Sequence, residues 1–167
     1  VVGAGPAGLS AATELAEHGR SVLVLEKNVE VGPKVCAGGV GMLSKEIDIP
    51  YHLADRRIRR LLGHFNGRPR WAERPGEFLA IFDRGKLGRY MADRALDRGV
   101  ELLTAAPVSG IEDSRVIVNG TAVRYRHLIG ADGSNSLVRR SLPLPRPRRG
   151  ATFQFVVPRE VDDMEVF

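Results

Sequence analysis

The first eight residues, Val-Val-Gly-Ala-Gly-Pro-Ala-Gly, constrain the fold more than any other part of this chain. Gly3, Gly5 and Gly8 follow two valines in the spacing Gly-x-Gly-x-x-Gly. The first glycine of such a series permits a tight turn out of a strand, the second lets a pyrophosphate approach the backbone, and the third lets helix and strand pack closely. The spacing therefore predicts a strand, a turn and a helix that begins at Pro6. The free amides at the positive end of that helix would hold an anion.

The residues after the glycine turn complete a compact βαβ unit over 1–27. Small and apolar positions predict a helix over 6–18 that stops at Gly19, and SVLVLEK at 21–27 is typical of a strand. Glu26 stands 18 residues after Gly8, at the end of that strand. A carboxylate at this point accepts hydrogen bonds from both ribose hydroxyls and repels a 2′-phosphate. The sequence therefore predicts a site for FAD or NAD rather than NADP, formed by Gly3, Gly5, Pro6, Ala7, Gly8, Glu26 and Lys27.

Composition and cysteine content narrow the class of protein. The chain has 167 residues, of which 43% are hydrophobic and 27% charged, and this balance is typical of a globular protein with a core. No apolar run approaches the roughly 18 residues of a membrane span. The single cysteine, Cys36, excludes an internal disulfide and a cysteine-rich metal site, and the four histidines show no ligand spacing. We therefore expect a cytoplasmic protein without a metal site.

The net charge of +5 reflects an excess of arginine in two clusters. Such clusters suit anionic partners such as phosphates, acidic lipid headgroups or nucleic acid, and the simpler alternative is an ordinary solvated surface. Aromatic residues are sparse and are not interleaved with the basic stretches, which argues against a nucleic-acid partner. One cluster comprises Arg56, Arg57, Arg59, Arg60, Arg68 and Arg70, and the other comprises Arg139, Arg140, Arg146, Arg148 and Arg149.

The remaining pattern predicts an α/β protein in which an antiparallel layer is added to a Rossmann-like domain. Residues 28–50 hold six glycines and prolines and are expected to be largely loop. Asn-Gly pairs in FNGRPR and in SRVIVNGTAVRY each predict a hairpin. The other predicted elements are a helix over 87–98, a strand over VELLTAAPV, a strand in HLIGADG that leads to a helix near Ser134, a connector over 143–150, and a strand over ATFQFVVP at 151–158.

The stretch GADGSNSLVRR, residues 130–140, resembles the second flavin fingerprint of the p-hydroxybenzoate hydroxylase-like flavoproteins. The resemblance implies that FAD is the cofactor, with Asp132 on a ribityl hydroxyl and Gly133 facing the phosphates. In DRGKLGRYMADRAL, Arg84 matches the superfamily's arginine beside the flavin, whereas Leu87-Gly88 departs from the usual bulky apolar residue and acid. Val108 matches a strand position whose backbone meets the adenine edge, although such a valine is equally compatible with plain core.

The loop GPKVCAGGVG, residues 32–41, is similar to the Cys-Gly-rich loop next to the flavin ring in the geranylgeranyl reductase family. Cys36, Ala37, Gly38 and Gly39 match it, with Ala37 where many members have glycine. This family uses reduced FAD to saturate isoprenoid double bonds, so the resemblance implies a prenyl substrate and an external electron donor. Cys36 is the candidate catalytic residue, which would orient the substrate, relay a proton or merely be small. The same frame serves monooxygenases and halogenases. From another class, a basic membrane-surface module on a flavoprotein frame also stays open.

The resemblance also bears on how the chain is organised. It implies an FAD-binding domain over 1–142 with an inserted segment at about 43–82, and a connector with the first strand of a substrate-binding domain over 143–167. No initiator methionine precedes Val1 and no turn or cap follows VDDMEVF, so we expect a piece of a longer protein, truncated at both ends and inactive alone. If residues 55–62 are helical, Arg56, Arg59 and Arg60 share a face that suits a membrane surface or a prenyl diphosphate.

Overall fold

The structure is a computed structural model that describes residues 1–41, 49–66, 68–73, 76–145, 148, 150–151, 153–155 and 164–166. Its helices are α1 (Pro6–Glu17), α2 (Arg84–Asp97) and α3 (Leu137–Arg140). Its strands are β1 (Leu23–Leu25), β2 (Gly39–Gly41), β3 (Arg56–Ile58), β4 (Arg60–Phe65), β5 (Arg68–Glu73), β6 (Leu79–Ile81), β7 (Glu101–Leu103), β8 (Val108–Glu112), β9 (Arg115–Val118), β10 (Thr121–Arg124) and β11 (Met164–Val166). The chain divides into two units, 1–33 with 87–151 and 34–86 with 152–167.

The first unit is built on short parallel pairings. Strand β1 pairs with β7 in parallel, and Val2 forms parallel bridges to Leu25 on one side and to Gly130 on the other. The backbone continues this ladder, since the amide of Val2 donates to Ile129 and that of Ala131 donates to Val2 at 2.8–2.9 Å. A parallel arrangement with a helical crossover is the Rossmann pattern. The predicted α/β class is therefore confirmed.

Both faces of this parallel sheet are covered, because successive strand residues point to opposite sides. Val24 packs with Leu9 and Ala12 of α1 and with Ala92 and Ala95 of α2 in one buried cluster. The next residue, Leu25, packs instead with Ala106, Val116 and Val118 in a second cluster. That second cluster lies under the antiparallel sheet β10-β9-β8, which is the added layer that the Asn119-Gly120 hairpin predicts.

The second unit contains short antiparallel pairings. Strand β6 lies between β2 and β3, and β4 pairs with β5 in a hairpin that turns at Asn66, whose φ is +51°. Strand β11 joins β4 in parallel. The predicted hairpin in FNGRPR is confirmed, while its Gly67 lies outside the described residues.

Several predicted elements and boundaries differ from the structure. Residues 55–62 are not a helix, because 56–58 and 60–65 pair in different sheets, so Arg56, Arg59 and Arg60 do not share a helical face. The strand predicted over 100–108 is split into β7 and β8 by Ala105, whose φ is +49°. The helix predicted near Ser134 begins at Leu137, and α2 begins at Arg84 rather than Leu87. In ATFQFVVP, residues 151 and 153–155 are not strand, and the rest lies outside the described residues.

Candidate functional site

The glycine turn has the geometry that its spacing predicts. Gly3 has φ +98°, and a Cβ at this position would lie 2.5 Å from the carbonyl oxygen of Ala131. A Cβ on Gly8 would collide with the carbonyl oxygen of Gly3, so both positions require glycine. Gly5 is the N-cap of α1 without a side-chain cap, and a Cβ there would meet nothing within 4 Å. Together with exposed Pro6 and Ala7, the first turn of α1 leaves open space beside its first amides, a geometry that can hold an anion.

Glu26 is buried directly after β1, and the backbone holds both of its carboxylate oxygens. Oε2 accepts from the Ala4 amide at 2.7 Å, and Oε1 accepts from the Asn28 amide at 2.9 Å. A carboxylate oxygen has two lone pairs, so each oxygen keeps capacity for a ligand hydroxyl. The side chain is thus fixed beside the glycine turn, while Lys27 is exposed.

Asp132 lies two residues after Gly130, which forms the bridge to Val2, and its two carboxylate oxygens differ in their hydrogen bonding. Oδ2 accepts from the amides of Leu137 at 2.6 Å and Val138 at 3.2 Å, so it caps α3. Oδ1 is buried and has no hydrogen-bond partner among the described residues. Burial raises the pKa of this carboxyl, but hydrogen bonds from Ser136 and from the backbone amides of Val138 and Leu137 outweigh it and leave the pKa below its usual value. The group is therefore a carboxylate at neutral pH with one acceptor left over.

The fold brings these groups into one place within the first unit. A Cβ on Gly3 would lie 3.1 Å from the Cα of Asp132, and one on Gly8 would lie 3.2 Å from the Cβ of Ala131. Glu26 joins them through the amide of Ala4, the residue after Gly3. Gly133, exposed and with φ +81°, follows Asp132.

The Cys-Gly-rich loop lies in the second unit, where it enters β2. Cys36 is exposed, and its Sγ accepts from the amide of Gly38 at 3.4 Å. A Cβ on Gly38, which has φ +74°, would collide with the carbonyl oxygen of Phe82, and the amide of Phe82 donates to Gly38 at 3.0 Å. Ala37 is exposed, and Gly39 pairs with Ile81. The loop is thus bonded to Phe82, which lies two residues before Arg84.

The start of α2 carries a polar network that the sequence analysis missed. Asp83 caps the helix, since its Oδ1 accepts from the Lys86 amide at 2.8 Å. Asp55 accepts from the Asp83 amide at 2.7 Å and from the Lys86 ammonium at 2.6 Å. The hydrogen bond from Lys86 lowers the pKa of Asp55. An Asp directly before a helix is a typical N-cap, so the role of Asp83 could have been predicted from the sequence. Asp55 is 31 residues from Lys86, and no local signal predicts that contact.

Two further predicted positions have clear structural surroundings. Gly88 is buried, and a Cβ there would collide with the backbone of Gly32. This position, which carries an acid in the superfamily, therefore requires glycine in this chain. Val108 is the first residue of β8, is half-buried, and packs on the cluster that contains Leu25. The side-chain amide of Asn119, also missed, donates to the carbonyl of Ala105 at 3.1 Å.

The residues present fit a flavin dinucleotide. The glycine turn leaves room for a phosphate, Glu26 has spare acceptors, and Oδ1 of Asp132 is a buried acceptor that needs a donor. In the second unit, Nε of Arg84 is a buried donor with no partner among the described residues. A buried polar atom without a partner is costly, so Oδ1 of Asp132 in the first unit and Nε of Arg84 in the second are each suited to bind a ligand group. No group of His, Cys, Asp and Glu in the described part of the chain could hold a metal ion.

Comparison with known proteins agrees with this geometry. Residues 1–36 match the NAD(P)-binding Rossmann-like domain. An uncharacterized protein in the nifH2 5′ region of Methanosarcina barkeri is 36% identical over 84% of this chain and 84% of its own length. The digeranylgeranylglycerophospholipid reductase of Methanosarcina acetivorans is 35% identical over 84% of this chain, and the geranylgeranyl diphosphate reductase of Rhodobacter capsulatus is 33% identical over 86%. The matched region spans only 38% and 39% of those two reductases.

Solved structures share the fold. A geranylgeranyl bacteriochlorophyll reductase-like protein from Thermoplasma acidophilum superposes on 74% of this chain and 35% of its own with a TM-score of 0.63 and 22% identity. The tetrameric form of 2-methyl-3-hydroxypyridine-5-carboxylic acid oxygenase superposes on 84% of this chain and 40% of its own, with a TM-score of 0.65 and 22% identity. At this identity the two likenesses establish the fold and do not separate a reductase from an oxygenase.

Proposed function

Because this chain belongs to the geranylgeranyl reductase family of oxidoreductases, we propose that it forms the FAD site of an enzyme that reduces carbon-carbon double bonds of an isoprenoid substrate. The observation that carries the proposal is how the two carboxylate oxygens of Asp132 are bonded. One of its oxygens is used inside the protein and the other is buried without a partner, beside a glycine turn that is open to a phosphate. Such an oxygen can accept a hydrogen bond from a sugar-like hydroxyl.

Each group has a separate role in holding the cofactor. The amides at the start of α1 and the positive end of its dipole bind the pyrophosphate. Glu26 accepts from the adenosine ribose with the lone pairs that Ala4 and Asn28 leave over, and Val108 lies along the adenine edge. Asp132 accepts from the ribityl chain through Oδ1, with Gly133 allowing close approach. Arg84 donates to the phosphate or ribityl region through Nε.

Cys36 is the proposed residue on the ring side. When bound, the flavin supplies hydride transfer to carbon, and the protein supplies orientation, a dry cavity and a proton path. The Gly38 amide donates to the Cys36 sulfur at 3.4 Å, which favours one position of the sulfur. The loop Cys36-Ala37-Gly38-Gly39 keeps bulky side chains away from the ring, so the substrate chain can approach it.

We infer the substrate class from the names of two relatives, which specify geranylgeranyl groups on a glycerophospholipid or a diphosphate. A lipid substrate favours contact with a membrane surface, and the second unit offers exposed Arg68 and Arg70, which share one face of β5. Among the described residues no helix is long and apolar enough to cross a membrane. The electron donor acts from outside this chain.

The central test is FAD affinity in Asp132→Asn. Its amide oxygen can still accept the cap bonds from Leu137 and Val138, but an NH₂ group replaces Oδ1 and the charge is lost. A lost charge-assisted hydrogen bond predicts at least about tenfold weaker FAD binding. The measurement is flavin absorbance of the full-length protein after dialysis, with Asp113→Asn in an exposed turn as the matched control. Equal affinity in the wild type and Asp132→Asn would contradict the assignment.

The oxygenase alternative is separated by products. The full-length protein, given a reductant and a geranylgeranyl substrate without oxygen, is expected to saturate double bonds. A product that requires oxygen and gains a hydroxyl would favour the monooxygenase reading of the same frame.

The membrane proposal has its own test. Flotation of the full-length protein with anionic vesicles is expected to fall several-fold in the Arg68→Gln/Arg70→Gln variant, because two positive charges are removed. It is expected to fall similarly for the wild type at about 1 M salt, because salt screens the attraction between the arginines and the anionic lipids. Equal flotation with neutral and anionic vesicles would contradict a charge-driven contact.

A further inference from the structure

The bend between β7 and β8 determines where the backbone beside Glu26 lies. The Glu26 amide donates to Leu103, and the Ala106 amide donates back to the Glu26 carbonyl, both at 2.8 Å. Between them, the Ala105 amide donates to the Asn28 carbonyl at 2.9 Å. The segment 103–106 is therefore bonded at three points to the turn that presents Glu26.

This turn directly fixes the Glu26 carboxylate. The amide of Asn28 donates to Oε1 at 2.9 Å, while the carbonyl of the same residue is the acceptor for Ala105. A displacement of Ala105 thus moves Asn28, and with it the amide that holds the carboxylate oxygen. The position of Ala105 and the position of Oε1 are mechanically linked through a single residue.

Ala105 itself is in an unfavourable conformation. Its φ of +49° lies in the left-handed region, which a residue with a Cβ adopts only when its surroundings hold it there. Its carbonyl accepts from the side-chain amide of Asn119 at 3.1 Å. Since a carbonyl oxygen only accepts, the NH₂ group of Asn119 and not its oxygen faces Ala105. Asn119 follows buried Val118, so its backbone is anchored in the core.

We propose that Asn119 is a positioning residue for the adenosine half of the cofactor, acting through Ala105 and Asn28 on the carboxylate of Glu26. The inference rests on the proposed function, because it assumes that Glu26 receives the adenosine ribose. It assigns to the Asn-Gly hairpin a task beyond making a turn, namely to hold the acceptor that reads the ribose hydroxyl.

The chain offers a substitution that separates these two tasks. Asn119 has φ +48° and is followed by Gly120 at φ +78°, a pair of left-handed residues that glycine adopts freely. Asn119→Gly therefore keeps the turn and removes only the donor to Ala105. Asn119→Asp also tolerates the turn and places a carboxylate oxygen against the Ala105 carbonyl. Asn66→Gly is the matched control, because Asn66 is the turn residue of the other Asn-Gly hairpin, with φ +51°, in the second unit.

The experiment measures binding of ADP and of 2′-deoxy-ADP to the flavin-free full-length protein by titration calorimetry. The wild type and Asn66→Gly are expected to prefer ADP by at least about tenfold, the effect of one charge-assisted hydrogen bond. Asn119→Gly and Asn119→Asp are expected to reduce this preference to about threefold or less, with thermal unfolding of Asn119→Gly close to that of Asn66→Gly.

The outcomes are distinguishable. If the wild type binds both nucleotides equally, Glu26 does not receive the ribose, and the proposed cofactor site and this inference both fail. If the wild type prefers ADP and both Asn119 variants keep the full preference, the inference fails while the proposed function stands. A uniform loss of affinity for both nucleotides, with the preference intact, would also overturn it, because that pattern indicates a general structural role.

Discussion

The two units of this chain hold their polar groups in different ways. In the first unit, both oxygens of buried Glu26 and one oxygen of Asp132 accept hydrogen bonds from backbone amides. In the second, carboxylates pair with cationic side chains, as half-buried Glu77 does with Arg57 at 3.6 Å and Arg59 at 3.4 Å, and as Asp55 does with Lys86 at 2.6 Å. Backbone bonds and steric fit depend little on salt, whereas exposed ion pairs are weak and screened. The site in the first unit is therefore pre-organised by the main chain.

The largest expected effect is on the steric fit of the first unit. Gly8→Ala is predicted to lower the free energy of unfolding by at least about 3 kcal/mol, because its Cβ would strike the carbonyl oxygen of Gly3. Gly5→Ala is the matched control, since a Cβ there meets nothing within 4 Å, and is predicted to cost about 1 kcal/mol or less. Urea unfolding of both variants measures the difference. Equal stability of the two would mean that the turn relaxes and that steric fit does not fix it.

An intermediate effect separates the two carboxyl groups whose pKa values are lowered. Because a lowered folded-state pKa lies below that of the unfolded chain, each carboxylate stabilises the fold fully above about pH 4, and this contribution is lost as the pH falls through the lowered pKa. Asp55 depends on the exposed ammonium of Lys86, so about 1 M salt is predicted to raise its pKa towards the ordinary value. Asp132 depends on Ser136 and backbone amides, and its pKa is predicted to change little.

Carboxyl-carbon NMR titration at low and high salt measures both groups in one sample. Asp132→Asn and Asp55→Asn assign the signals. Equal salt shifts for the two groups would contradict the proposed distinction between main-chain and side-chain stabilisation.

The smallest expected effect lies on the surface of the β4–β5 hairpin. The guanidinium of Arg60 lies 4.5 Å from the centroid of the Trp71 ring, and Trp71 is half-exposed. Arg60→Met keeps an apolar stem over the ring but removes the charge, so a loss of about 0.5–1 kcal/mol in the free energy of unfolding is predicted. Arg68→Met in the same hairpin controls for loss of positive charge. A larger loss from Arg68→Met would show that net charge rather than the ring contact matters.

The predictability of the fold also differed between the units. The glycine turn, the helix after it and the position of Glu26 followed from spacing, because Gly3 has a positive φ and Gly8 packs against the carbonyl of Gly3 within the same turn. The helical reading of residues 55–62 failed because Arg56–Ile58 pairs with β6 and the following residues pair with β5. Pairing partners that are distant in sequence override a short amphipathic pattern.

The candidate site was predictable only in part. GADG indicated a carboxylate at Asp132, but not that Oδ2 would cap α3 and leave Oδ1 unpartnered, since this depends on how the next turn folds back. Leu87-Gly88 departs from the residues that are usual in the superfamily, and the sequence did not indicate that Gly88 is required by the close approach of Gly32. The long-range bonds of Asp55 to Lys86 and of Asn119 to Ala105 have no local signal in the sequence.

The sequence by itself determined the βαβ unit, the class of ligand that its turn accepts, and the residue types at the glycine and acidic positions. These properties depend on backbone geometry over a few residues, where glycine, proline and periodicity act directly. Only the tertiary structure decided which oxygens are left over, which glycines are sterically required, and that Asn119 donates to the carbonyl of Ala105. Those depend on contacts between segments tens of residues apart, whose distances no local pattern specifies.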